Sequence, residues 1–168
     1  MLHLLSLPDA PMPMTGRGSR PCGLAAGTLI RTMDGELPVE YLTAGDRVLT
    51  RGGGFATLRA VDVSIARDVD VVRFAPRAMG RHATDRALVV PVAQPVLTRD
   101  WRARVVYGQD HVLTPAGALV DDHLIRRKRL ARLRLFRLHF DSPQVIRANG
   151  IDLASARGKA PTGTPLLH

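Results

Sequence analysis

Apolar positions in this chain fall in short runs that alternate with polar residues or break at glycine, proline and aspartate. The run "GTLIRT" at 27–32 favours β structure, and Asp34-Gly35 just after it predicts a hairpin turn, because glycine accepts a positive φ at little cost. A second turn at Ala44-Gly45-Asp46 leads into the strand "RVLT", and "RGGG" forms a third. "FATLRAVDVSIA" and "VDVVRFA" are β-branched runs with partial alternation, followed by a loop-like stretch at 76–87. "LVVPVAQPVLT" is apolar but broken by Pro91 and Pro95, which predicts an edge strand or one flanked by turns. "WRARVVYG" reads as a strand. Pro115–Leu119 suits a single helical turn, with a chain reversal at Asp121-Asp122.

The segment "RLRLFRLHF" separates strand from helix. Leu133 and Leu135 alternate with Arg132 and Arg134, and Phe136, Leu138 and Phe140 with Arg137 and His139. The phase slips at Leu135–Phe136, as a β-bulge would cause. A helix would put Arg134 and Arg137 on the face of Leu130 and Leu133, so the segment is a strand with its arginines on the wet side. "VIRANGI" is a further strand with a tight turn at Asn149-Gly150. Short strands with a turn every ten or so residues predict an all-β domain. Gly35, Gly45 and Gly150 are expected at positive φ. The expected core is Leu29, Ile30, Val39, Leu42, Val48, Val96, Leu97, Leu124, Val145 and Ile151.

Composition narrows the chemistry. A length of 168 residues suits one domain, expected over 22–156 between flexible tails at 1–21 and 157–168. Only 4% of residues are aromatic, so Val, Leu, Ile and Ala must fill the core. The single cysteine, Cys22, excludes an internal disulfide and a cysteine-based zinc site. The six histidines show no HxH or HxxxH spacing, so neither a metal nor another cofactor is expected. The opening "MLHLLSL" lacks the basic flank of a signal peptide, and no stretch approaches the ~20 apolar residues of a membrane span. A cytoplasmic protein without membrane association is the default. The formal charge of +9 admits an acidic partner, and "RRKRLARLR" at 126–134 could meet phosphates, though no interleaved aromatics offer a platform for bases.

"GTLIRTMDGELPVEYLTAGDRVLTRGGG", "QPVLT", "AGALVDDHLI" and "LFRLHFDSPQVIRANGI", together and in this arrangement, resemble the Hint (Hedgehog/intein) family, most of all its small bacterial members. The resemblance covers about residues 22–155. It implies an all-β Hint-type fold of short strands and hairpins with pseudo-two-fold halves. It also implies an ancestry in self-cleavage: a Cys or Ser at the first position attacks the preceding carbonyl, and a Thr-x-x-His histidine protonates the leaving amine. Splicing members finish with a terminal His-Asn pair.

Against that pattern the chemical positions differ. Counting back from Gly27-Thr28 puts the nucleophile slot on Gly23, with Cys22 one residue early. The Thr-x-x-His pair becomes Pro91 and Gln94, and an amide cannot act as a general acid. The late acidic residue falls on Arg137, the later histidine on Pro143 or Gln144, and the terminal pair on Ala154-Ser155. The expectation is a Hint-like domain without catalysis, serving as an interaction or structural module for a protein partner. One alternative is autocatalytic self-cleavage at Cys22. A third reading is a basic module that binds anions or nucleic acid through its Arg-rich strand.

Overall fold

The computed structural model describes residues 20–79, 86–99, 104–105, 108 and 110–157. Most of both expected tails lies outside these residues, as does most of "WRARVVYG", whose described Arg104 and Val105 are helical rather than extended.

Among the described residues twelve strands follow in chain order: β1 Leu24–Ala25, β2 Leu29–Thr32, β3 Gly35–Pro38, β4 Arg47–Leu49, β5 Phe55–Thr57, β6 Ala60–Phe74, β7 Leu88–Pro91, β8 Pro95–Arg99, β9 His111–Pro115, β10 Ile125–His139, β11 Val145–Ala148 and β12 Ile151–Ala154. Short 3₁₀ turns lie at Val39–Tyr41 and Ala116–Leu119. The fold is all-β, as the turn-punctuated pattern predicts. Among the described residues no helix is long and apolar enough to cross a membrane.

The strands form two sheets, one ordered β1-β10-β6-β7, the other β5-β4-β2-β11-β12-β8-β9 with β3 paired to β2. The first sheet is symmetric about its centre, where β6 and β10, 15 residues each, run antiparallel along their whole length. The symmetry extends to detail. Hairpin β2–β3 ends at Pro38 and hairpin β8–β9 at Pro115; both prolines hold nearly the same angles (φ −57, ψ 139 and φ −56, ψ 136), and each leads into a 3₁₀ turn. The first amide of each turn closes on the residue before the hairpin, Val39 N–H on Thr28 O and Ala116 N–H on Gln94 O. Thr28 and Gln94 are therefore equivalent positions of two similar halves.

Gly35, Gly45 and Gly150 all take positive φ, at 107°, 99° and 78°. The hairpin turn itself is Met33-Asp34, and Gly35 opens β3 opposite Thr32. The core gathers between the sheets around Ile30, Val48, Phe74, Leu88, Val96, Ile146 and Leu153. Of the expected core, Ile30, Val39, Leu42, Val48, Val96 and Ile151 are buried, and Leu29, Leu97 and Val145 are half-buried. Leu124 is a miss: it is 49% exposed, because it lies in the turn before β10 and Ile125 turns inward instead. The expected bulge at Leu135–Phe136 is also absent, since their pairing to Ser64 and Val63 continues the register unbroken. The apolar phase changes because β10 passes from solvent into the interior, where both of its faces are covered from Leu135 onward.

Candidate functional site

The entry to the domain and the exit from β12 meet beside β8. Cys22, Gly23, Leu24, Gln94, Arg137, Ala154 and Ser155 border a cavity of about 150 Å³. Three separate stretches of sequence come together here, and the sheet order explains how. β1 pairs with β10 through Leu24↔Phe136, which fixes Gly23 at the sheet edge. β12 pairs with β8 at Leu153↔Val96, which brings Ala154 to Gln94.

Gln94 is the centre of this arrangement. It is 3% exposed, and its amide is saturated. The Oε1 accepts the Gly23 N–H at 2.9 Å. The Nε2 donates to Ala154 O at 2.9 Å and to its own neighbour Pro95 O at 3.1 Å. The backbone carbonyl accepts Ala116 N–H at 2.9 Å. A buried amide with every polar atom engaged is a rigid strut, because releasing any partner would leave a polar group without solvent or bond.

Gly23 is equally constrained. Its φ is +134°, and a Cβ added there would lie 2.8 Å from Phe136 O. The position therefore excludes any side chain, both by backbone conformation and by space. The amide that Gln94 grips is that of the Cys22–Gly23 bond, one residue past the carbonyl that a Cys22 thiol would attack.

Cys22 is half-buried and borders the Gln94 cavity as well as a second hollow lined by Ser64, Ala66, Leu135 and Arg137. Burial pushes its thiol pKa up, and the nearby Arg137 charge offsets that only in part. The thiol form dominates at neutral pH, the reverse of what an activated nucleophile needs. Arg137 Nε is itself buried with no hydrogen-bond partner. Two residues on, His139 is 4% exposed, with neither ring nitrogen hydrogen-bonded and Nε2 3.4 Å from Asp62 Oδ2. His139 does not border the Gln94 cavity.

The exit side is closed by two hydrogen bonds between Gln144 and Ser155. Gln144 N–H donates to Ser155 Oγ at 2.8 Å, and Ser155 N–H donates to Gln144 O at 2.8 Å. Asn149 Oδ1 accepts Leu29 N–H at 2.8 Å, and its Nδ2 donates to Ala87 O at 2.9 Å, tying the β11–β12 turn to both halves. Sequence reasoning singled out Cys22, Gly23, Gln94, Arg137 and Ser155 one by one. It did not see that Gln94 bonds both the entry and the exit, because no local pattern encodes a contact 71 residues apart. Among the described residues no three metal-binding side chains come together.

Comparison with known proteins adds to this geometry. Residues 21–158 match the family described as the Hint domain. The fold is similar to a DnaB intein from Synechocystis sp. PCC 6803, at a TM-score of 0.56 and 12% identity, covering 82% of this chain and all of that one. It is also similar to a bacterial intein-like domain from Clostridium thermocellum, at 0.52 and 14%, covering 80% and 98% of the two chains. The gp41-1 intein aligns at 0.52 and 12%, covering 82% and 99%. No curated protein sequence matches the chain.

Proposed function

The chain belongs to the Hint domain family, and from that premise we propose that it is a non-cleaving member, a rigid module that keeps the family's frame and serves as an interaction or structural domain. The observation that carries this reading is the bond from Gly23 N–H to Gln94 Oε1. The resemblance assigns that amide's neighbourhood to a nucleophile and a proton donor. Here the residue after the amide has no side chain and no room for one. The facing group accepts a hydrogen bond from the nitrogen, whereas expelling an amine requires a proton delivered to it. Loss of such an acid typically lowers a rate by a factor of ~10²–10⁴. Raising the thiol pKa of Cys22 adds to that deficit.

The test is the intact mass of the purified full chain after incubation with dithiothreitol or hydroxylamine. The mass is expected to stay that of the complete chain. Loss of residues 1–21, abolished in Cys22→Ala, would instead establish self-cleavage at Cys22. Gln94→His is expected to remain uncleaved as well, since Cys22 still sits one residue before the gripped amide.

A further inference from the structure

The long strands β6 and β10 sort their charges by face. In an antiparallel pair, residues directly opposite share a face, and the faces alternate along each strand. The register therefore collects Arg126, Lys128, Arg132 and Arg134 of β10 with Arg73 and Arg67 of β6, Arg126 opposite Arg73 and Arg132 opposite Arg67. The other positions on this face are apolar: Ile65 is exposed, Leu130 half-buried, and Val69 and Val71 buried, so the stretch holds six cations and no carboxylate, and its open part runs along β10 and the middle of β6. The opposite face is compensated: Arg127 and Arg129 reach Asp70 at 3.0 and 3.6 Å.

Like charges directly opposite one another destabilise a strand pair. Arg67 and Arg132 face each other at the middle of both strands, and Arg67, Arg126, Lys128, Arg132 and Arg134 are all exposed. From Arg126 to Arg134 the cations extend over about 27 Å at a strand's rise per residue. From Ile65–Asp70 and Arg129–Arg134 no third strand flanks the ribbon among the described residues, since β1 pairs only at Leu135 and Phe136 and β7 only from Val71 onward. A two-stranded ribbon is narrow enough to enter the major groove of a duplex; Arg67, Arg132 and Arg134 lie on it, and Arg126 and Lys128 continue the line where β7 adds a third strand.

We propose that this one-signed face of the β6–β10 ribbon binds the phosphate backbone of nucleic acid, without regard to base sequence. A uniform line of cations matches a uniform line of phosphates, and the face offers no ring for stacking bases: Phe136, just beyond it, already lies under Arg134 at 5.1 Å. The inference rests on the charge register of the ribbon and not on the absence of self-cleavage, although Arg20 and Pro21, just before Cys22, border a hollow with Arg67 and Val69.

The experiment is fluorescence anisotropy of a labelled mixed-sequence DNA duplex with the full chain across a salt series. Five exposed cations predict a log–log salt slope of about −4.5, or roughly 500-fold weaker binding from about 50 to about 200 mM salt. Arg67→Gln with Arg132→Gln should reduce this to a slope of about −2.7 and roughly 40-fold. The unfolding midpoint should hold or rise, because the opposed pair is gone. Arg127→Gln, on the compensated face, should leave the slope unchanged, and an unlabelled duplex of unrelated sequence should compete equally. The proposal is overturned by no binding at about 50 mM salt or by a slope that the double variant does not change. It is equally overturned if the chain binds poly-glutamate or phosphatidylserine vesicles but not the duplex.

Discussion

Gly23 and Gln94 act as one unit, each making the other's environment. Gly23 presents its N–H to Gln94 only because its backbone takes a φ of +134°, and that conformation carries no side chain. Gly23→Ala should therefore destabilise the domain by about 1–3 kcal/mol, measured by urea denaturation, from backbone strain and the clash with Phe136 O. Gln94→Ala strands Gly23 N–H and Ala154 O in a buried setting. Its expected cost is about 1–3 kcal/mol for each group left unsatisfied, and a loss under about 0.5 kcal/mol would mean that water enters and replaces the amide. Gln94 is thus read as a clamp holding entry and exit together, at a position where the family resemblance expects a proton donor.

Among the elements, the turn leading into β10 shows how a single carboxylate sets a strand's start. Asp121 Oδ1 accepts the N–H groups of His123 at 2.8 Å and Ile125 at 2.9 Å, and Asp122 takes φ +61° to make the reversal. The backbone donors, Ile125 first, hold the Asp121 pKa below its ordinary value, and Arg59 does the same for Asp141. A depressed carboxylate contributes stability that is present above its unfolded pKa of about 4 and is lost as pH falls through the lower folded value. The thermal midpoint should therefore drop as pH is lowered below about 4, and Asp121→Asn should flatten that drop while lowering the midpoint at neutral pH. Equal acid slopes in the two proteins would remove Asp121 from this role.

In the whole molecule, β6 and β10 belong to both halves at once. Each 15-residue strand leaves its own hairpin-and-turn unit and crosses to pair with the other along its full length, while the edges β1 and β7 flank them symmetrically. β11 and β12 then join the halves in the second sheet, between β2 and β8. Neither half can bury its apolar face alone. Unfolding is accordingly expected as one transition, with calorimetric and van't Hoff enthalpies equal. Two resolved transitions would show that the halves are separable.

What the sequence determined by itself was local: strands from β-branched runs, a hairpin at Asp34 (its turn falling on Met33-Asp34, one residue earlier than Asp34-Gly35), turns at Gly45 and Asn149-Gly150, and a 3₁₀ turn after Pro115, because these rest on backbone preferences of adjacent residues. The ordered blocks were also enough to recognise the family and to mark Gly23 and Gln94 as the positions that differ. What only the tertiary structure decided were the outcomes set by distant neighbours. Leu135 and Phe136 are both buried with no bulge because other strands cover both faces there. Leu124 and Ile125 exchange inside for outside through the conformation of one turn. Gln94 became a three-way clamp, and the arginines of "RRKRLARLR" separated into a compensated face and an unopposed one, only when β6 supplied Asp70 to one side and Arg67 and Arg73 to the other. Burial and charge balance are properties of pairs, and a single strand's pattern contains only one member of each.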